Sequence, residues 1–171
     1  MSIFESLIEM IRKAEKTEQS NIEQSEPMFN STGTEGSTEA GNQKSYTPTL
    51  LERYIAGWRR HDTEAIIETL TPDCIVTESF GPIYHGHAWV KRWISAWFSE
   101  NGCVIDWTIQ NLQSLGNVET AEWTFSYTWR GEEKSFDGIT IAKLHEGKIS
   151  HLREYATTAP LYDWQGEWRP L

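Results

Sequence analysis

Residues 118–130 read VETAEWTFSYTWR, and their alternation decides the fold. Ala121, Trp123, Phe125, Tyr127 and Trp129 point one way. Thr120, Glu122, Thr124, Ser126 and Thr128 point the other, which is the period of a half-buried strand. Turn residues close it on both sides, Gly116–Asn117 before and Gly131–Glu132 after. Beyond those turns, 104–115 and 134–145 read as strands. Glu146–Gly147 makes a third turn before a last strand at 148–156. Four long strands joined by three tight turns form an antiparallel meander.

Upstream the period changes to that of helices. Thr47 followed by Pro48 reads as an N-cap and first helical residue. Leu50, Leu51, Tyr54, Ile55 and Trp58 share one face to about residue 60. Asp62 caps a second helix bearing Ala65, Ile66, Ile67 and Leu70, with Pro72 just beyond. CIVTE, 74–78, is a short β-branched strand. The loop SFGPIYHG follows. A third helix spans about 87–100, where Trp89, Val90, Trp93, Ile94, Trp97 and Phe98 form a wide apolar stripe closed by Asn101–Gly102. Helices first and a meander afterwards predict an α+β domain, with three helices on one face of a curved antiparallel sheet.

The chain has 171 residues, with 25 acidic against 15 basic side chains and a net charge of −10. An acidic chain without a basic stripe argues against nucleic acid and anionic membrane as partners. No apolar run reaches the roughly 18–20 residues of a membrane span. Cys74 and Cys103 are the only cysteines; they exclude a disulfide scaffold and fit a cytoplasmic location. All nine tryptophans lie from Trp58 onward, which places the folded domain at 46–171. Residues 18–45 are polar enough to read as a flexible linker. Residues 1–17 carry Ile3, Phe4, Leu7, Ile8 and Ile11 at helical spacing. That amphipathic helix needs a partner, either this domain, a neighbouring copy or another protein. The aromatic tail Leu161–Trp168 reads as a segment that folds back over the domain or a partner.

The order α-α-β-α followed by a four-strand meander resembles the nuclear transport factor 2-like superfamily, which includes ketosteroid isomerases, SnoaL-like cyclases and limonene epoxide hydrolases. The resemblance rests on LLERYIAGWRRHDTEAIIETLTPDCIV at 50–76, GPIYHG at 81–86 and GKISHLREY at 147–155. It implies a cone-shaped fold and a small apolar ligand. Laid on ketosteroid isomerase, it places the oxyanion-donating tyrosine at Tyr54 and the proton-moving carboxylate at Glu78. The second oxyanion donor falls near Thr140, where no carboxylic acid stands, and Asp137 points to the opposite face.

The residues themselves support two readings of that site. Glu78 ends an apolar strand, so desolvation raises its pKa and makes it a general base; the alternative is a solvated strand end. Tyr54, one turn before Trp58, is a ligand-facing hydroxyl or a core tyrosine. Trp58, Trp93, Trp97 and Trp107 are expected to wall the pocket. His151, Arg153 and Tyr155 share a strand face; if it lines the cone, Arg153 and Tyr155 contact ligand, and otherwise Arg153 forms a salt bridge. His85-Gly86-His87 lacks a third ligand in sequence, so no metal is expected. No phosphate loop, nucleophile motif or dinucleotide fingerprint occurs, so no cofactor is expected either. The surplus of tryptophans and the aromatic row 121–129 predict a homodimer through the outer sheet face. The expected function is small-molecule binding, with cofactor-free isomerase, cyclase or hydrolase chemistry. The alternative is a non-catalytic binding or dimerisation module.

Overall fold

In the computed structural model three helices, α1 (Leu50–Arg59), α2 (Thr63–Glu68) and α3 (Gly86–Ser99), pack on six strands. The strands are β1 (Leu70–Thr77), β2 (Ile83–His85), β3 (Cys103–Leu115), β4 (Val118–Trp129), β5 (Glu132–His145) and β6 (Lys148–Ala156). The structure describes residues 46–159 and 161–167. The expected helix at 1–17, the linker at 18–45 and Trp168 lie outside them.

Helix α1 begins two residues later than Thr47–Pro48 suggests. Thr49 is its cap: the Glu52 backbone N–H donates to the Thr49 hydroxyl at 3.2 Å, and the Glu52 carboxylate accepts from the Thr49 N–H at 2.8 Å. This reciprocal pair satisfies two orphan donors, and only the register Thr49-x-x-Glu52 offers it. The buried Glu119 carboxylate of β4 accepts two more, from Leu51 N–H at 2.9 Å and Leu50 N–H at 3.3 Å. An anion at the positive end of the helix thus ties α1 to the sheet. Helix α2 approaches α1 at Gly57, where a Cβ would stand 2.8 Å from Ile66 Cγ1.

The strand order is β2-β1-β6-β5-β4-β3. The meander β3–β6 forms as its alternation and turns require. The sheet is mixed, however, because β1 lies parallel to β6. Strand β1 also starts at Leu70, four residues before the expected start. It crosses Pro72 where the pairing to β6 is irregular, between Leu70 and Ile75, and such a break tolerates a residue with no N–H to donate. Within the expected loop, Tyr84 pairs with Val76 and forms the short edge strand β2. Two bulges in β3, at Val104/Asp106 and Ile109/Asn111, bend the sheet around the helices.

The aromatic row of β4 faces inward, which corrects the expected dimer surface. Trp123, Tyr127 and Trp129 are buried. Trp107 of β3 packs on Trp123 at 5.5 Å between ring centroids, and Trp97 of α3 reaches Tyr127. Burying a ring against helices removes far more apolar surface from water than a solvated outer face does. The outer face of β4 carries Glu122, Thr124, Ser126 and Thr128 instead. The surplus tryptophans are therefore mostly core; Trp89 and Trp164 are the exposed ones among the described residues. In the tail, Leu161 and Trp164 remain largely exposed.

Candidate active site

One residue of extra chain decides what faces the interior. Leu144 pairs with Ile149, but Lys143 pairs with His151, so β6 bulges at Ser150. The Ser150 hydroxyl donates to the Lys143 carbonyl at 3.1 Å. Ile149 is buried, and regular alternation from it would turn His151, Arg153 and Tyr155 inward. The bulge reverses that parity. Leu152 and Glu154 are buried, while His151, Arg153 and Tyr155 are exposed. Arg153 and Tyr155 are thus outside the site, contrary to the expectation for that face. The Arg153 guanidinium lies over the Tyr155 ring at 5.0 Å.

Glu154 replaces them in the interior. It pairs in register with Thr140 of β5. On its other side Leu152 pairs with Val76, so Glu78, two residues past Val76, extends alongside Glu154. Tyr84, opposite Val76 on β2, and Tyr54 from α1 complete the group. Thr140 accepts from the Trp123 indole N–H at 2.8 Å.

Burial dominates the electrostatics of this group. It raises the Glu78 carboxyl well above its ordinary range, and the neighbouring Glu154 charge raises it further. Glu154 is raised by burial to about 7. Among the described residues no salt bridge involves either carboxyl. Burial thus disfavours the charged form of each acid, and their mutual repulsion, with no compensating cation, further opposes ionising both near neutrality. The same burial, reinforced by Glu154 and Glu78, keeps the Tyr54 hydroxyl protonated. Tyr84 is raised by burial, then by Glu78 and Glu154. Tyr127 is raised to about 12 by burial, Glu132 and Glu78.

Several donors here have no protein partner. The Tyr84 hydroxyl and the Trp107 indole N–H are buried and unbonded, and the Tyr54 hydroxyl and the Trp58 indole N–H are buried with no polar partner beyond one another. Each such group costs about 1–3 kcal/mol unless water or ligand satisfies it. The surrounding walls are rings: Tyr84 stacks on Trp93 at 4.7 Å, Trp93 meets Trp58 at 4.9 Å, and Trp97 meets Trp58 at 5.6 Å. Tyr54 lies edge-on to Trp107 at 6.3 Å. Tyr54, Glu78, Trp58, Trp93, Trp97, Trp107 and Thr140 all fall on this inner side. Glu154 and Tyr84 were not anticipated. His85 and His87 are elsewhere: His85 stands at the N-cap position of α3 without a side-chain cap bond, and the His87 ring bonds the Leu70 carbonyl at 3.2 Å. No cluster of three metal-ligating side chains occurs among the described residues.

A family model described as the SnoaL-like domain matches residues 51–152. The chain belongs to the SnoaL-like domain family. Solved structures of the same fold agree with that assignment. A protein of Catenulispora acidiphila DSM 44928 with a ketosteroid isomerase-like fold, solved in complex with trimethylamine, is 18% identical, with TM-score 0.58 over 66% of this chain and 88% of that one. An epoxide hydrolase of M. tuberculosis resembling limonene epoxide hydrolase is 13% identical, with TM-score 0.57 over 63% and 80%. A candidate polyketide cyclase of Xanthomonas campestris pv. campestris is 17% identical, with TM-score 0.54 over 62% and 86%. No curated protein matches the sequence. The SnoaL-like domain of this chain thus has the nuclear transport factor 2-like α+β fold. No helix among the described residues is long and apolar enough to cross a membrane.

Proposed function

We propose that this SnoaL-like domain binds a small, largely apolar molecule and performs cofactor-free acid–base chemistry on it. The observation that carries this reading is the Glu78–Glu154 pair, two enclosed carboxyls that together hold a proton near neutral pH. A charged carboxyl beside a protonated one supplies a base and an acid at the working pH. The charged member takes a proton from carbon or from water, and its partner returns one to the product. Tyr54 donates its free hydroxyl to an oxygen of the substrate. Isomerisation, cyclisation and hydrolysis all fit this layout. Cyclisation and epoxide hydrolysis, the activities named for two proteins of the same fold, lie within that range.

Carbon-13 titration of the two carboxyls tests the reading without a substrate. We expect one ionisation at about 7 and the other displaced well above the ordinary carboxylate range. Two ordinary titrations near 4.5 overturn it. With a substrate, Glu78→Gln or Glu154→Gln should lower kcat by roughly 100-fold. A binding module without catalysis is the second reading, favoured by the unbonded Tyr84 and Trp107 donors, which a bound molecule would satisfy as well as a substrate.

Both cysteines are free, in keeping with a cytoplasmic location. Self-association through the outer sheet face now rests on the half-exposed Ile139–Tyr155 cross-strand pair.

A further inference from the structure

The interior combines negative charge with aromatic walls. Two acids stand at neighbouring positions of adjacent strands there, and the influences on Glu78 are burial and Glu154, with no basic side chain among them. The side chains that feel the Glu78 charge are rings from three elements, Tyr54 on α1, Tyr84 on β2 and Tyr127 on β4. Tyr84 continues into the Trp93–Trp58 stack. The Tyr54 and Tyr84 hydroxyls, 1% and 4% exposed, point to a missing partner in the same space.

From this arrangement we infer that the interior selects an organic cation, a small amine or quaternary ammonium whose charge sits between the carboxyl pair and the ring faces. The inference rests on the proposed reading of this interior as a ligand site. Each ligand class meets different physics there. An anion is repelled by the ionised carboxyl. A neutral molecule leaves that charge buried and uncompensated, which is costly. A monocation neutralises a singly ionised pair while leaving its remaining proton in place, so the acid and the base both survive binding. Aromatic faces add cation–π attraction that strengthens as water is excluded. The ring edges and methyl-sized surfaces also suit a bulky ammonium better than a hydrated metal ion, which needs several oxygen ligands.

The test compares choline with 3,3-dimethylbutan-1-ol, its neutral isostere, by calorimetry and tryptophan fluorescence on the full chain at pH 8. Choline should bind at least about tenfold more tightly, a difference in the range of one desolvated cation–π contact with charge pairing. Glu154→Gln should bring that ratio towards one, mainly by weakening choline, whereas Glu78→Gln leaves the carboxyl that is ionised at pH 8 and should keep most of the preference. Both replacements keep side-chain shape, and thermal melts show whether each variant is folded. The comparison on the unaltered chain stands even where a variant is not. Equal binding of the two probes, tighter binding of the alcohol, or binding of neither at about 10 mM overturns cation selection. In those cases a displaced carboxyl titration would leave the acid–base reading intact, whereas an ordinary one would remove both.

Discussion

Glu154 loses its proton at a cost to the fold. Its carboxyl ionises at about 7 in the folded chain and near 4.5 when exposed. Between those values the folded state binds more protons than the unfolded state, so stability falls as pH rises. The loss begins above about pH 4.5, is complete above about pH 7, and amounts to about 3 kcal/mol for this group. Glu154→Gln should therefore stabilise the protein by about that amount at pH 8 and change little at pH 4, as read by urea melts at the two pH values. Tyr54 makes a second contrast. Its hydroxyl donates to no protein group, so Tyr54→Phe should change stability little. The same change should lower turnover by roughly tenfold, since one neutral donor to a substrate oxygen is lost. Half of this chemistry was legible in the sequence. Glu78 is marked by its place at the end of an apolar strand, and Tyr54 by its place on an apolar helical face. Glu154 is hidden, because LREY has no internal sign of which parity faces the core.

Among the elements, legibility followed length and regularity. Strand β4 and helices α1 and α3 repeat their period often enough to be read directly. Strand β2 has three residues, too few for any alternation, and β1 is masked at its start by Pro72. The outward placement assigned to the β4 aromatics failed for a different reason: periodicity shows that one face is apolar, but the packing of helices decides which side it faces. Strand β5 carries a related device at Gly138, directly opposite Trp123. A Cβ there would collide with Trp123 Cη2 and the Tyr155 carbonyl oxygen and stand 2.7 Å from Trp123 Cζ3. Gly138→Ala should thus destabilise the domain by about 2–3 kcal/mol and loosen the Trp123–Thr140 hydrogen bond. A red-shifted tryptophan emission together with a lower Tm would register both effects. Glu119→Ala removes the carboxylate that receives the start of α1, and we expect a loss of about 2 kcal/mol in chemical denaturation.

For the whole molecule, the described helices and strands belong to a compact unit that begins at Pro48, and the family match at 51–152 lies inside it. We propose that residues 46–171 suffice for folding. A chain starting at Tyr46 should melt cooperatively within a few degrees of full length, and an insoluble or non-cooperative product would assign 1–45 a structural role. Light scattering should find a dimer that Tyr155→Glu dissociates, because a charge replaces half of the exposed Ile139–Tyr155 pair. The extra residue at Ser150 bears on how such a fold acquires new reactions. Beyond it, basic and acidic side chains alternate along β6, with Arg153 outside and Glu154 inside. Deleting Ser150 would only remove the bulge and leave Glu154 inside, whereas one residue inserted after His151 and taken up as regular strand would exchange the two, setting a basic side chain where an acidic one now stands while every other position keeps its identity. A one-codon change in length, far cheaper for evolution than a coordinated set of substitutions, is enough to reverse the sign of charge a substrate meets.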